Sequence, residues 1–237
     1  ENGAEGRFIS EDGGATWKPD QLPGWSDLAM EYYAYDMKAA PDGSVAILCK
    51  SFRALTGAAD DEAGADEEAE RDDKAGDSAN KICLIPAQGE TEWIDVPAGE
   101  YEIAASLCFS EDGSRLFVAS MEPKIYEIDR ETGTAKMFLA VDIIPDMFCV
   151  WDNYMAVKNE SDGVVLYALD TAERIDDDVI TDFVNKNCAV NKQVVESTYS
   201  VFPAEEEGLY LVCNKGVYRH VIGGTVMEQV INGSLSS

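Results

Sequence analysis

Residues 108–138 read CFSEDGSRLFVASMEPKIYEIDRETGTAKMF, a stretch of short β-rich runs joined by two kinds of turn. The turn at Asp112-Gly113 lies between two apolar runs, and the turn at Gly133 closes a later hairpin. Asp-Gly and Asn turns supply the positive φ that tight hairpins require. The run KIYEIDR alternates its side chains between two faces, as a strand does. The stretch therefore predicts successive antiparallel strands.

The same two turns recur along the chain. Gly89 and Gly133 are 44 residues apart, Gly133 and Thr171 are 38 apart, and Thr171 and Gly223 are 52 apart. A period of about 40 to 45 residues with four short strands per unit is typical of a β-propeller blade. Turns of the first kind also occur at Asp42-Gly43, Asp152-Asn153 and Glu207-Gly208, and one more of the second kind occurs at Gly13.

The turns divide the chain into four complete units and part of a fifth. The complete units span about 31–96, 101–139, 144–176 and 198–231, and residues 7–22 supply the last two strands of an earlier unit. The prediction is an all-β fold, a single β-propeller over 1–237 with about four and a half four-stranded antiparallel blades. Because propellers close with a whole number of blades, we expect this chain to be a fragment of a larger ring.

One stretch departs from the strand pattern. Ile175, Val179 and Phe183 follow i, i+4 spacing, and aspartates at 176–178 precede most of the run. Acidic residues at a helix start interact favourably with the helix dipole and cap free N–H groups. The pattern predicts a short helix over 177–187, between two blades.

The chain has 46 acidic and 18 basic side chains, which gives a net charge of −28. Such an acidic surface repels phosphate backbones and anionic lipid, so nucleic acid and bare membrane are poor partners. No apolar run approaches the roughly 20 residues that a transmembrane helix needs. The first residues show no basic and apolar leader, so we expect any signal peptide to be absent or removed.

The charge is concentrated in one segment. Residues 60–77 contain ten acidic and two basic residues, a contribution of −8 that leaves −20 for the rest of the chain. The segment lacks apolar periodicity, so we expect residues 57–80 to be a flexible acidic loop inserted within a blade. A calcium site is the alternative, but the acidic residues lack the alternate spacing of an EF-hand loop. We therefore expect no bound metal.

The six cysteines form no CxxC pair, and five of them lie in apolar, strand-like runs, which favours buried free thiols. Cys49 and Cys83 flank the acidic loop, and a disulfide between them is an open alternative. His220, the only histidine, lies in a strand-like run and is expected to be structural. No P-loop, nucleophile elbow or HExxH pair occurs, so neither a cofactor nor a catalytic residue is predicted. The remaining cysteines are Cys108, Cys149, Cys188 and Cys213.

Four aromatic residues are candidates for ligand contact, because flat aromatic faces stack on sugar rings. The alternative, which residue burial statistics favour, is that Tyr33 and Tyr35 fill the space between blades. The four candidates are Trp25, Tyr32, Tyr33 and Tyr35.

Residues 10–17 read SEDGGATW and resemble the S-x-D-x-G-x-T-W Asp-box of sialidase-like propellers at every defined position. The resemblance implies a structural hairpin in which Asp and Ser bond the turn and Trp packs between strands. Asp-boxes occur in enzymes, lectins and scaffolds, so the motif indicates a propeller and no particular activity. The matching residues are Ser10, Asp12, Gly14, Thr16 and Trp17.

A sialidase-like glycoside hydrolase or a glycan-binding lectin is the alternative function. Sialidase chemistry needs three arginines around a carboxylate, a Tyr nucleophile with a Glu partner, and an acid. The Arg-Ile-Pro signature of that family is absent from the sequence. Clustered arginines in the central channel would favour the enzyme, and small or apolar groups there would argue against it. The arginines are Arg7, Arg53, Arg71, Arg115, Arg130, Arg174 and Arg219.

The run GLYLVCNKGVYRHVIGGTVMEQVINGSLSS (208–237), preceded by DVITDFV and YSVFP, resembles large extracellular solute-binding lipoproteins of Gram-positive bacteria. In those proteins a propeller-like region precedes a transporter-type binding domain. The resemblance is clear over 179–237 and weaker over 32–175, and the acidic loop departs from it. It implies a lipid-anchored surface protein that serves sugar uptake, with further blades and a solute-binding domain after Ser237.

Together these features lead us to expect a non-catalytic recognition or scaffold module on the cell surface, with a protein or glycan partner. A purely structural spacer is a third possibility, and it would lack a pocket with convergent polar groups.

Overall fold

The computed structural model of the chain describes residues 7–10, 12–20, 32–51, 80–96, 104–120, 122–145, 147–159, 163–187, 198–213 and 215–233. Within these ranges the protein consists of antiparallel strands and a single helix. None of the described residues belongs to a helix with the length and apolar character needed to cross a bilayer.

The strands form one two-stranded sheet and four four-stranded sheets, which we call blades A to D. The two-stranded sheet pairs β1 (Arg7–Ile9) with β2 (Lys18–Asp20). Blade A contains β3 (Tyr32–Ala39), β4 (Val45–Ser51), β5 (Asn80–Ile85) and β6 (Glu92–Asp95). Blade B contains β7 (Ala104–Phe109), β8 (Leu116–Ser120), β9 (Lys124–Asp129) and β10 (Thr134–Ala140). Blade C contains β11 (Met147–Trp151), β12 (Tyr154–Asn159), β13 (Gly163–Ala168) and β14 (Arg174–Ile175), and blade D contains β15 (Thr198–Ala204), β16 (Gly208–Cys213), β17 (Gly216–Val221) and β18 (Met227–Asn232).

The predicted units coincide with these blades, because each turn that defined a unit joins neighbouring strands of one sheet. Residues 52–79, which include the acidic segment 60–77, lie outside the described residues. The predicted loop boundary at residue 80 was wrong by one position, since Asn80 begins β5 and is fully buried. Asn80 lies opposite Lys50 in the antiparallel register, so the ends of β4 and β5 are adjacent.

Apolar cores lie between consecutive blades. Leu48 of blade A packs in one core with Leu116 of blade B. Phe117 on the other face of blade B shares the next core with blade C. Leu166 and Leu211 belong to a third core between blades C and D. Because neighbouring residues of a strand point to opposite faces, each central blade contributes to two cores. The first strands of successive blades also contact one another, β3 with β7, β7 with β11 and β11 with β15, and they form the innermost layer.

The predicted helix is present as α1 (Asp178–Asn187). It begins one residue later than expected because Asp177 is its N-cap. The Asp177 Oδ1 atom accepts hydrogen bonds from the amides of Val179 and Ile180, each at 3.0 Å. Ile180 and Phe183 are buried in the core between blades C and D, so the helix covers the junction of those blades.

Charged contacts join blades A and B on the side of the β3–β4 turn. Arg130, in the β9–β10 turn, donates to Asp42 Oδ2 at 3.0 Å and to Ser44 Oγ at 2.7 Å. It also donates to the Gly113 carbonyl oxygen. The hydrogen bond from Ser44 lowers the pKa of Asp42, and Arg130 lowers it further.

The alternative of a Cys49–Cys83 disulfide was wrong. The register places Cys49 opposite Lys81 and Cys83 opposite Ile47, so the two residues are not directly opposed, and both thiols are free. Burial raises the pKa of Cys49 to about 12 and that of Cys108 to about 11. These thiols therefore stay protonated at neutral pH, when they are poor nucleophiles. Cys149 and Cys213 are also free, and Cys188 lies outside the described residues.

Candidate functional site

The SEDGGATW hairpin forms a closed set of hydrogen bonds. Asp12 accepts from the amide and the hydroxyl of Thr16 at 2.8 and 2.6 Å, and from the Ser10 hydroxyl at 2.9 Å. The Gly14 amide donates to Ser10 Oγ at 2.7 Å. These bonds, led by the Thr16 hydroxyl, lower the pKa of Asp12 to about 2. The hydrogen bonds therefore hold the turn itself.

Trp17 differs from the expectation that it packs between strands. Its side chain is 61% exposed, and its indole N–H donates to the carbonyl oxygen of Gly14 at 3.1 Å. The indole therefore lies against its own turn.

The structure describes three of the four candidate ligand-contact aromatics, and it places them in different environments. Tyr32 is buried and belongs to the cluster that contains Ile47. Tyr33 and Tyr35 meet edge to face, with ring centroids 6.4 Å apart and planes at 81°. Tyr35 is 53% exposed on β3, an innermost strand. Trp25 lies outside the described residues.

A β-bulge places the Tyr35 ring. The β3–β4 register pairs Ala34 with Cys49 and Asp36 with Leu48, so Tyr35 is the extra residue. Bulges re-aim side chains and increase the local twist of a strand. The innermost strands of blades B and D carry a register shift at the corresponding place, between 104 and 106 and between 198 and 200.

Lys50 lies directly beside this aromatic pair. It is opposite Tyr33 in the register, and its Nζ atom is 3.2 Å from the centroid of the Tyr35 ring. Only 5% of the residue is exposed. Burial disfavours the charged form and lowers the pKa of Lys50 to about 8. A cation on a ring face is stabilised by about 0.5–2 kcal/mol, which is less than the several kcal/mol that burial of an ammonium costs.

Two hydrogen bonds between blades fix the surroundings of Lys50. The Asn80 side-chain oxygen accepts from the Ala104 amide at 3.0 Å. Asp36 Oδ2 accepts from the Leu107 amide at 2.9 Å. Because both bonds link blade A to β7, they hold the Lys50 end of the blade A–B interface. We call Tyr33, Tyr35 and Lys50 the Lys50 site.

The sequence pointed to the two tyrosines of this site but not to the lysine. Lys50 follows the apolar run VAILC and precedes Ser51. The same pattern is typical of a strand that ends in solvent, so it does not indicate a buried lysine. Its burial depends on the register with β3 and β5, and on the neighbouring blade. The alternation of β4 offered a usable signal, because Lys50 shares a face with Leu48 and Ala46.

A polar concavity lies between blades B and C. It has a volume of about 560 Å³ and is formed by three turns. Arg115 on its wall is held by Glu127, with donor–acceptor distances of 2.6 and 3.1 Å. Asp112 accepts from the hydroxyls of Ser110 and Ser114, which lower its pKa to about 2. Most polar groups of this cleft thus bond to each other. The lining residues are Ser110, Glu111, Asp112, Ser114, Arg115, Asp152, Asn153 and Leu169.

The four arginines whose side chains are described each have a carboxylate partner of their own. They lie in turns or on β14 and β17, and none of these four is on an innermost strand. The large, exposed apolar side chains on the described innermost strands are Tyr35, Met37 and Phe202. The arginine pairs are Arg115 with Glu127, Arg130 with Asp42, Arg174 with Asp142 and Asp176, and Arg219 with Glu206.

His220 is buried, and both of its ring nitrogens contact oxygen atoms. Nε2 is 2.8 Å from Asp177 Oδ2, and Nδ1 is 2.9 Å from the Val226 carbonyl oxygen. Both ring nitrogens of His220 therefore have an oxygen atom of the protein within hydrogen-bond distance. The side chain is 0% exposed, and this geometry fits a structural contact between α1 and blade D. The described residues contain no group of three or more His, Cys, Asp or Glu residues suited to a metal ion.

No protein-family model matches the sequence, and no curated protein matches it. Solved structures do match. Kuenenia stuttgartiensis hydrazine synthase is 12% identical, with a TM-score of 0.51 over 92% of this chain and 52% of that chain. A chain of a mitotic checkpoint complex is 12% identical, with a TM-score of 0.51 over 82% of this chain and 50% of that chain. Regucalcin of Agrobacterium tumefaciens, a calcium-binding protein, is 18% identical, with a TM-score of 0.46 over 72% of this chain and 52% of that chain.

The hydrazine synthase and checkpoint-complex chains, both with a TM-score of 0.51, are β-propeller-type folds, and at such low identity the likeness concerns the fold alone. This chain spans about half the length of each solved chain described above. The four-stranded antiparallel sheets and the propeller neighbours confirm the predicted fold class: the protein is an all-β β-propeller.

Proposed function

We propose that the protein is a non-catalytic recognition module whose ligand contacts a β-propeller surface. The observation that carries this proposal is the half-exposed Tyr35 ring, which lies on an innermost strand against Tyr33 and Lys50. Exposed aromatic faces contribute to binding through a large contact area at a low entropic cost, and they stack well on sugar rings. A glycan is therefore the ligand class that we propose for this surface.

We further propose that the module acts at the cell surface, in a lipid-anchored protein that carries a solute-binding domain for sugar uptake. The support is the resemblance of residues 179–237 to extracellular solute-binding lipoproteins and the Asp-box pattern of residues 10–17. The hydrogen-bonded turn around Asp12 is consistent with a structural Asp-box. Fractionation of the host cell tests the location, and recovery of the full-length protein in the cytosol would contradict it.

A glycan array tests recognition, with the 237-residue chain and the full-length protein screened side by side. We expect both to bind the same glycans, and the variant Tyr35→Ala to lose at least tenfold in affinity. Phe8→Ala is the matched control, because Phe8 is an aromatic residue that is 46% exposed on β1, in another sheet. Binding by the full-length protein alone would place recognition outside these residues.

The alternative function is a sialidase-like glycoside hydrolase. A fluorogenic sialoside assay on the full-length protein distinguishes the two, because a recognition module leaves the substrate intact. Release of the fluorophore at a rate proportional to the concentration of this protein would overturn the non-catalytic proposal.

A further inference from the structure

Lys50 has an unusual environment for a cationic side chain. It is 95% buried, and no carboxylate among the described residues forms an ion pair with it. Its described contact is with the Tyr35 ring. Buried charges in proteins are normally paired, because an unpaired charge loses its hydration without compensation. The face of an aromatic ring replaces only part of that lost hydration.

Two polar side chains of the same sheet, Asn80 and Asp36, already have other partners. Asn80, which is opposite Lys50 on β5, uses its side-chain oxygen for the Ala104 amide. Asp36 accepts from the Leu107 amide, from Lys38 Nζ at 2.8 Å and from the amide of Met37. Within the part of the chain that the structure describes, the ammonium group of Lys50 is therefore left as a hydrogen-bond donor beside an exposed aromatic ring.

From this geometry we infer that the Lys50 site binds a small carboxylate-bearing ligand, with the carboxylate on Lys50 Nζ and the body of the ligand against Tyr35. The chemical class is an acidic sugar such as a hexuronic acid, which combines a carboxylate with a ring that can stack. This inference rests on the proposed recognition function and adds the charge of the ligand. Because Lys50 is 95% buried, a compact ligand reaches it more readily than a folded partner does.

The charge of the whole chain makes this site selective. With a net charge of −28, the protein repels anions in general. An anion is therefore bound only where a cation and a stacking surface occur together. Lys158, which is also buried at 4% exposure, serves as an internal comparison because it lies on β12 of blade C.

The test is a titration of the 237-residue chain, labelled with ¹⁵N at lysine, followed through the Nζ resonances. The probes are glucuronate, glucose and acetate. We expect glucuronate to shift the Lys50 resonance and to bind at least tenfold more tightly than glucose. We expect acetate to shift the same resonance at higher concentration, because it has the carboxylate but lacks the ring.

Two variants separate the contact of the carboxylate with Lys50 from the contact of the sugar ring with Tyr35. Lys50→Met keeps the apolar stem and is expected to remove the preference for glucuronate, whereas the control Lys158→Met is expected to keep it. Tyr35→Ala is expected to bring the glucuronate affinity close to that of acetate. The direct readout on the wild-type lysine keeps the test decisive even if Lys50→Met does not fold.

Three outcomes would overturn the inference. One is equal binding of glucose and glucuronate, and another is no Lys50 shift with any carboxylate. The third is glucuronate binding that appears only after residues 60–77 are deleted, which would make a carboxylate of the chain itself the partner. Glycan binding without a preference for acidic sugars would leave the proposed recognition function intact, so the two failures are distinguishable.

Discussion

At the scale of single residues, Lys50 links stability to pH. Its pKa of about 8 in the folded protein is below the value of about 10.4 in an unfolded chain. The unfolded state thus binds more protons between these two pH values. Linkage then requires that the free energy of unfolding increases as the pH rises from about 8 to 10.

We expect this increase to be about 1–2 kcal/mol in the wild type relative to Lys50→Met, after allowance for partial solvation of the ammonium group. At pH 7 the variant should be at least as stable as the wild type, because it removes a buried charge without an ionic partner. Urea unfolding of both proteins at pH 7.5 and pH 10 measures the difference. A difference that does not change with pH would contradict the assigned pKa.

Gly113 and Gly13 give a second comparison at this scale, because both follow the sequence Ser-Glu-Asp. Both have left-handed backbones, with φ of +71° and +70°. A Cβ atom at Gly113 would be 3.1 Å from atoms of Ala40 and Pro41, whereas a Cβ atom at Gly13 would meet no atom within 4 Å.

We expect Gly113→Ala to lower the free energy of unfolding by about 2–4 kcal/mol, from backbone strain and overpacking between blades A and B. Gly13→Ala should cost about 1 kcal/mol, from strain alone. Urea unfolding of both variants measures these losses in the free energy of unfolding. If both variants lose the same free energy of unfolding, Ala40 and Pro41 shift to accept the added methyl group without a measurable cost.

At the scale of elements, the start of α1 combines a helix cap with a buried hydrogen bond between Asp177 and His220. Burial by itself would raise the pKa of Asp177. Hydrogen bonds from the Ile180 amide, from His220 and from the Gly223 amide outweigh burial and lower the pKa below 3.8. The contribution of Asp177 to stability is therefore present above about pH 4 and is lost as the pH falls through the folded-state pKa.

We expect Asp177→Ala to cost about 2–3 kcal/mol, because it removes the N-cap and leaves His220 without its carboxylate. Asp177→Asn can still cap the helix, so its disadvantage relative to the wild type should shrink between pH 6 and pH 3. Urea unfolding and hydrogen exchange of the Val179 and Ile180 amides measure both effects. Asp178→Asn is the control, since Asp178 is exposed in the first turn. A loss of the same size in the control would assign the effect to the helix dipole.

The elements themselves could be predicted from the sequence because their signals are local. Asp-Gly turns and alternating apolar residues marked the strands, and three aspartates followed by i, i+4 spacing marked α1. The bulge at Tyr35 and the burial of Lys50 could not be predicted, since both depend on register and on the next blade. The pair of Arg130 with Asp42 joins residues 88 positions apart, a separation that no local pattern encodes.

At the scale of the whole molecule, the acidic segment lies between strand ends that are already paired. Lys50 and Asn80 are opposite each other, so β4 and β5 need only a short connection. The energetic cost of loop closure also depends weakly on loop length.

We expect deletion of residues 60–77 to leave the melting temperature within about 5 °C of the wild type while the net charge changes from −28 to −20. Calorimetry of both chains measures this. A larger decrease, equivalent to roughly 1–2 kcal/mol for a chain of this size, would mean that the segment contributes to the fold.

The apolar cores follow the order of the chain, each between one blade and the next. In evolutionary terms, this arrangement allows growth by tandem duplication. A copied stretch of about 40 residues adds one blade and one new core, and it leaves the earlier interfaces as they were. Blades that arise in this way can diverge one at a time. A binding group such as Lys50 can therefore be gained in one blade without disturbing the packing of the others.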